Sequence, residues 1–299
     1  MTGKGNPENQ AFKDGQCIEK TERTISKVYV TGDCHGDFRK LSNRSFPEQR
    51  EMLRGRNGQK QNREEIQSSR SGQKQGREEK NGCVIITGDF GYWDPSSKEQ
   101  QYWLRWLEER PFMILWLDGN HENFALLDQL PVTSWHGGKV QFLSPSVIHL
   151  MRGQVYEIAG KRFFVFGGAA SHDAEVILEE KDPMLKQKIY RMRKRKIPYR
   201  IRNVSWWERE LPSQEEMDEG LQNLEKNGWN VDFILSHCCA GSTQRQYFGA
   251  EYAENALTEY LEGIKQRCEY QKWFFGHYHK DFSMGEKETV ICDRLIKIV

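Results

Sequence analysis

Several features that would quickly assign a chain to a class of protein are missing from this sequence. Its 299 residues include seven scattered cysteines but no Cys-x-x-Cys pair, which argues against a disulfide framework and against a thiolate zinc site. No run approaches the roughly 18 apolar residues of a membrane span, and the first residues lack the apolar core of a signal peptide. We therefore expect a cytoplasmic protein with no membrane partner.

An excess of charge of either sign is also missing. Lys+Arg 44 against Asp+Glu 43 leaves a formal net charge of +1, so nothing global indicates binding to nucleic acid or to an acidic membrane. The 37% of hydrophobic residues is enough for a globular protein with a real core. Any argument for an anionic partner must therefore come from a local segment.

One long segment has almost no apolar side chains. Residues 54–82 hold a single one, Ile66, and repeat "GQKQNREE" as "GQKQGREE". Such a segment cannot bury enough surface to order itself, so we expect a disordered polar insertion. Its glutamates offset its basic residues, which disfavours the alternative of an RNA-binding arm. We expect a flexible N-terminal segment at 1–24 and a single domain at 25–299.

Elsewhere, short apolar runs alternate with helical patterns. The runs are rich in β-branched or aromatic residues and predict buried strands at 27–33, 83–89, 112–120, 163–168 and 231–237. Residues 96–110 have large side chains at helical spacing, and residues 213–228 open with a Ser-x-x-Glu capping box. Residues 154–166 predict a hairpin around Gly160, and further strands are expected near the C-terminus. This alternation predicts a layered α/β domain.

Polar side chains follow these strands at the point where each strand ends. In chain order they are Asp33 and His35, Asp89, Asn120 and His121, His237, and His277 and His279. Open α/β sheets place their sites beyond the carboxyl ends of strands, so we expect these side chains to converge. The i, i+2 spacing sets Asp33 and His35 on one side of a strand end, as two ligands of one metal. The alternative for any single residue is a capping carboxylate or a hydrogen-bonded core histidine.

The motifs around these residues resemble those of the calcineurin-like metallophosphoesterase superfamily, which run GDxH, GD, GNH, H and GHxH. This chain has "GDCHGD", "GDFGYW", "GNHEN", "SHCC" and "GHYH" in the same order between residues 27 and 280. The resemblance implies an α/β fold of the metallophosphoesterase type, a four-layer αββα sandwich with two metal ions between its sheets.

The resemblance also implies a ligand set and a reaction. One metal would take Asp33, His35, Asp89 and His279, and the other would take Asp89, Asn120, His237 and His277. Nitrogen and oxygen ligands without thiolate fit two divalent ions such as Mn, Fe or Zn. The implied enzyme is a metal-dependent phosphoesterase that hydrolyses phosphate mono- or diesters by attack of a metal-activated hydroxide. His121 would stabilise the transition state or protonate the leaving oxygen, or alternatively only orient a ligand.

The sequence limits the substrate less closely. A phosphorylated small molecule, a nucleotide or nucleic acid all fit the implied chemistry. The Ser/Thr phosphatase branch follows its second motif with an Asp-Arg pair where this chain has Gly91, Tyr92 and Trp93, which disfavours a phosphoprotein. Another apolar run ends in "GGAASHD", which can bring His172 or Asp173 to the rim of the site, although neither is included as a ligand.

A basic and helical insert is expected at about 173–230. Within it, residues 183–207 hold nine basic side chains and no acidic one. This segment is either a cap that steers anionic substrates or a solvated face that the acidic helix at 213–227 balances. Two alternatives therefore stand beside the leading function: a nucleic-acid-processing phosphodiesterase or nuclease, and a non-catalytic scaffold for protein partners. The complete ligand set and His121 count against the scaffold.

Overall fold

A computed structural model of the chain describes residues 25–52, 80–91, 94 and 96–299. The predicted N-terminal segment at 1–24, residues 53–79 of the polar region, and Tyr92 and Trp93 lie outside the described residues. The last residues of the polar insertion, predicted at about 54–82, are described. Lys80 Nζ donates to Ser146 Oγ at 2.6 Å, and a core strand begins at Gly82.

Seven strands form the first of two large sheets. Numbered along the chain, they are β1 (Lys27–Thr31), β2 (Gly82–Ile86), β3 (Met113–Trp116), β4 (Val132–Trp135), β5 (Gly138–Ser144), β6 (Val147–Leu150) and β15 (Ile296–Lys297). Their order is β15-β1-β2-β3-β6-β5-β4, with β1, β2, β3 and β6 parallel. The predicted strands at 27–33, 83–89 and 112–120 are confirmed as β1, β2 and β3. Nearly all their residues are buried, as expected for strands covered on both faces.

Six strands form the second sheet. They are β7 (Gln154–Ile158), β8 (Lys161–Phe166), β11 (Phe233–Ser236), β12 (Lys272–Phe275), β13 (Phe282–Met284) and β14 (Glu288–Val290). Their order is β13-β14-β12-β11-β8-β7, and β8, β11, β12 and β14 are parallel. The predicted hairpin is confirmed as β7 and β8, whose turn residues Ala159 and Gly160 both have positive φ. A separate pair, β9 (Val176–Leu178) and β10 (Tyr199–Ile201), runs parallel.

In the part of the chain that the structure describes, six α-helices connect or cover these strands. They are α1 (Lys98–Glu108), α2 (Phe124–Leu127), α3 (Leu185–Arg195), α4 (Gln214–Lys226), α5 (Gly241–Tyr247) and α6 (Ala256–Arg267). Short 3-10 helices lie at Arg39–Leu41, Pro47–Met52, Glu208–Glu210 and Gly249–Glu251. The predicted capping box at the start of α4 is confirmed between Ser213 and Glu216. Every helix in the described part of the chain is too short or too polar to span a bilayer.

Three apolar clusters define four layers. The inner cluster joins the facing sides of the two sheets, with Leu115 from the first and Leu235 from the second. The outer side of the first sheet packs against Leu107 of α1. The outer side of the second sheet packs against Leu224 of α4 and Leu261 of α6. The predicted four-layer α/β sandwich is confirmed. Helix α4, within the insert predicted at about 173–230, belongs to an outer layer, and the bounds of that insert stay a prediction.

Candidate metal centre

The predicted site residues follow the carboxyl ends of five strands. Asp33 and His35 follow β1, Asp89 follows β2, Asn120 and His121 follow β3, His237 follows β11, and His277 and His279 follow β12. Parallel neighbours end at the same edge of a sheet, so each sheet gathers its own residues at one edge. The two edges meet, since His279 Nε2 lies 3.3 Å from Asp33 Oδ2 and His237 Nε2 lies 3.4 Å from Asp89 Oδ2.

The first predicted ligand group is closely gathered. The ligand atoms of Asp33, His35, Asp89 and His279 all lie within 4.8 Å of one another. His35 Nε2 is 3.1 Å from His279 Nε2 and 3.6 Å from Asp89 Oδ2. Two imidazole nitrogens thus converge with two carboxylates, a donor set that suits a borderline divalent cation.

The second predicted group lies against the same carboxylate. His237 Nδ1 donates to the carbonyl oxygen of Thr87 at 2.8 Å, which leaves Nε2 facing Asp89 and the side-chain oxygen of Asn120, the latter at 3.2 Å. The His277 ring centroid is 5.1 Å from that of His237. The structure therefore brings all seven predicted ligands together, while their binding of metal stays a prediction.

One buried oxygen tests whether these residues fit a metal. Asp89 is fully buried, and its Oδ1 accepts the backbone N–H of His121 at 2.8 Å. Its Oδ2 has no hydrogen-bond partner among the described residues. A buried carboxylate oxygen that no short hydrogen bond satisfies is costly unless a cation pairs with it, whether a protonated His237 or a metal ion. Because Oδ2 faces His35 Nε2 and His237 Nε2, the residues fit a cation on either side of this oxygen.

The electrostatics of the centre favour positive charge. Burial alone would lower the pKa of His237, but the carboxylates of Asp89 and Asp33 outweigh it and raise that pKa to about 9. Burial would likewise raise the pKa of Asp89, yet the neighbouring His237 holds it well below its usual range. The potential that keeps a proton on His237 also attracts a divalent cation, so binding a metal there displaces this proton.

Backbone strain is concentrated at the centre. Non-glycine residues rarely adopt positive φ, and the strain costs of order 1–3 kcal/mol each. Four predicted ligands do so: His35 at 48°, Asp89 at 46°, His277 at 68° and His279 at 49°. Glycine permits the close packing around them, because a Cβ on Gly119 would meet Asp89 Oδ1 at 2.0 Å and one on Gly276 would meet Asp33 Oδ1 at 2.1 Å. Such strain is typical of functional sites.

His121 lies beside the first ligand group. Its ring centroid is 5.2 Å from that of His35, and burial lowers the pKa of His121 to about 4. Its Nε2 lies 3.3 Å from Nη2 of Arg200, and a guanidinium can only donate. Nε2 is therefore an acceptor in this arrangement and offers no N–H to a phosphate while it faces Arg200, so the role of His121 in the reaction stays a prediction.

The insert fixes one predicted ligand through residues that sequence reasoning missed. Asn120 Nδ2 donates to Ser171 Oγ at 3.2 Å, and Ser171 Oγ donates to Glu210 Oε2 at 2.6 Å. Glu210 is buried and also accepts from Trp206 Nε1 at 2.7 Å. The occupied amide nitrogen leaves the oxygen of Asn120 to face His237. No local sequence signal links Glu210 to Asn120, since they meet only through the fold.

His172 and Asp173, which the sequence could bring to the rim of the site, both lie near predicted site residues. The ring of His172 is 5.3 Å from that of His277, and Asp173 pairs with Arg200. Neither belongs to the closely gathered ligand group.

The chain was compared with family models, solved structures and curated proteins. A family model described as calcineurin-like phosphoesterase matches residues 26–281. Among solved structures, a similar one is described as the phosphopantetheinyl hydrolase (PptH) from Mycobacterium tuberculosis, with 11% sequence identity, 90% coverage of both chains and a TM-score of 0.40. No curated protein matches the chain.

Proposed function

The chain belongs to the calcineurin-like phosphoesterase family, and from that premise we propose that it hydrolyses phosphate mono- or diesters with a pair of divalent metal ions. The observation that carries the proposal is the buried Oδ2 of Asp89, which lies 3.6 Å from His35 Nε2 and 3.4 Å from His237 Nε2. This oxygen lies near a nitrogen of the first ligand group and near a nitrogen of the second. Such a position suits a carboxylate that two cations would share. Mn, Fe or Zn fits the nitrogen and oxygen donors.

The chain's own hydrogen bonds would hold the ligands ready. The Thr87 carbonyl fixes His237, Ser171 fixes the Asn120 amide, and Asp33 accepts the backbone N–H of His277 at 3.0 Å. Such partners set the tautomer and orientation of a ligand before a metal binds. Two cations held there would clamp the phosphate oxygens and lower the pKa of a bound water from about 15.7 to about 7. From beside the first group, His121 would stabilise the transition state or protonate the leaving oxygen when its ring carries a second proton.

A second candidate, processing of nucleic acid by the same centre, is favoured by helix α3. This helix buries none of its residues, and within the described ranges Lys186, Arg191 and Lys194 form no ion pair. The acidic side chains of α4 that form ion pairs do so with Lys139, Arg152 and Arg209 rather than with α3. An exposed cationic helix of this kind attracts a polyanion by releasing its counterions.

Metal exchange tests the proposal. The purified protein is stripped with a chelator and reloaded with Mn²⁺, Fe²⁺ or Zn²⁺, and metal content is measured by mass spectrometry. Each form is assayed with p-nitrophenyl phosphate, bis-p-nitrophenyl phosphate, cyclic nucleotides and short RNA. We expect two metals per chain and turnover that stripping removes and reloading restores. Loaded protein without turnover on any substrate would favour the scaffold, and turnover that survives complete stripping would contradict metal dependence.

A further inference from the structure

One arginine of the insert reaches the candidate centre. Arg200 is the middle residue of β10 and pairs with Ile177 of β9. Its side chain is only 13% exposed, whereas α3 of the same basic segment buries no residue. A charged side chain is buried to this extent when specific partners hold it.

The partners of Arg200 fix its guanidinium on three sides. Nε donates to Asp173 Oδ1 at 2.9 Å, Nη2 donates to Asp173 Oδ2, and Nη1 donates to the carbonyl oxygen of Ser205 at 3.0 Å. Nη2 also lies 3.3 Å from His121 Nε2. The guanidinium therefore has its plane set by Asp173 and Ser205, with one N–H directed at the residue that borders the predicted ligands.

We propose that Arg200 binds a non-bridging oxygen of the substrate phosphate and makes this centre selective for phosphate monoesters over diesters. This inference rests on the proposed function, because it assigns the substrate class of the same site. Arg200 would touch the substrate, and Asp173 would act as a positioning residue that holds the guanidinium in place.

The chemistry of the two ester classes supports this selectivity. A monoester dianion has three non-bridging oxygens and about two negative charges, whereas a diester has two such oxygens and one charge. Two cations can engage two oxygens, so the third oxygen of a monoester needs another donor. Arg200 supplies a permanent positive charge, and because Asp173 holds its Nε and one N–H of Nη2, phosphate would take the second N–H of Nη1 and the N–H of Nη2 that faces His121. Since Asp173 and Ser205 already orient it, little reorganisation is needed when substrate binds.

The test compares Arg200→Gln with Arg202→Gln as a matched control. Arg202 lies two residues along the same segment and pairs with Glu179 and Glu208 rather than with the centre. Metal content, kcat/KM for p-nitrophenyl phosphate and for bis-p-nitrophenyl phosphate, and calorimetric binding of inorganic phosphate are measured on the metal-loaded proteins. Arg200→Lys and Asp173→Asn complete the series.

We expect Arg200→Gln to keep its metals and to lower kcat/KM for the monoester by ~10²–10³-fold, with a loss below about 10-fold for the diester. Its affinity for inorganic phosphate should fall by roughly 10- to 100-fold, as for loss of a charge-assisted hydrogen bond. Arg200→Lys, which keeps the charge but not the fork, and Asp173→Asn should show intermediate selective losses. Arg202→Gln should match the wild type in every measurement.

Equal losses on the two esters, loss of metal, or unchanged phosphate affinity in Arg200→Gln would each overturn the assignment. The phosphate measurement also separates this inference from the proposed function. If the loaded wild type hydrolyses neither ester, the proposed function fails, and Arg200 is still judged by phosphate binding. Weaker binding in Arg200→Gln than in Arg202→Gln then supports it, and equal binding contradicts it.

Discussion

The strand-end loops and the insert contribute to the candidate centre in different ways. Loops after five strands place six other predicted ligands, all with nitrogen or oxygen donors, around the buried Asp89. The insert carries nine basic side chains in residues 183–207, yet of these only Arg200 contacts a predicted site residue within the described chain. Position at a strand end, rather than abundance of charge, determines which side chains reach the centre.

The insert therefore supplies none of the predicted ligands and instead contacts the residues that the loops place at the centre. There are two such contacts: Arg200 lies against His121, and Glu210 holds Asn120 through Ser171. Substitutions should accordingly have their largest effects in the loops, intermediate effects at these two contacts, and the smallest effects on α3.

Asp89→Asn should have the largest effect. It replaces the carboxylate shared by both ligand groups with a neutral amide, so metal content should fall and turnover should drop by ~10³-fold or more. Metal analysis and ester hydrolysis measure both. Asp37→Asn is the matched control, because Asp37 lies in the loop after β1 and pairs with Arg39 at the surface. Wild-type metal content and turnover in Asp89→Asn would contradict a shared carboxylate.

His121→Ala should rank next. Removing a group that acts on the reacting phosphate as a positioned acid or donor should slow turnover by ~10²–10⁴-fold while both metals stay bound. Steady-state kinetics combined with metal analysis distinguish the two roles expected for this residue. Loss of metal in this variant would show that His121 orients a ligand instead.

Glu210→Gln should have a moderate effect. It weakens the acceptor that holds Ser171, so the Asn120 amide is less well fixed and metal affinity should fall by ~10-fold. Glu208→Gln is the control, since Glu208 lies in the same short helix, is exposed and pairs with Arg202. Metal titration followed by calorimetry compares the two. Indistinguishable affinities would show that the insert does not support the centre through Glu210.

Charge reversal on α3 should have the smallest effect. Lys186→Glu, Arg191→Glu and Lys194→Glu together should change kcat/KM for small esters by less than about twofold, because these reactions do not depend on the long-range field. For RNA, if it is a substrate, KM should rise and its salt dependence should flatten. Equal losses on small esters and RNA would mean that the reversal disturbs the fold, and would break the contrast between α3 and the loops.

The sequence predicts the strands that are buried along their length and the side chains that directly follow a strand. Strands β1, β2 and β3 are buried along nearly all their length, so their apolar runs are unmistakable. Strands β4 and β10 are exposed or half-buried and short, and their sequences differ little from those of loops. The ligand candidates are recognisable because each follows a strand directly. Arg200 and Glu210 are not recognisable from the sequence, since their partners His121 and Ser171 are distant along the chain. Their neighbours of the same residue type, Arg202 and Glu208, pair with each other instead.

Anomalous diffraction from crystals grown with Mn²⁺ would show whether two metal ions share Asp89. If Asp89 is shared by two cations, the anomalous map should contain two peaks, both within bonding distance of its carboxylate. One should also lie among Asp33, His35 and His279, and the other among Asn120, His237 and His277. A single peak, or peaks that do not touch Asp89, would contradict a two-metal centre in this chain.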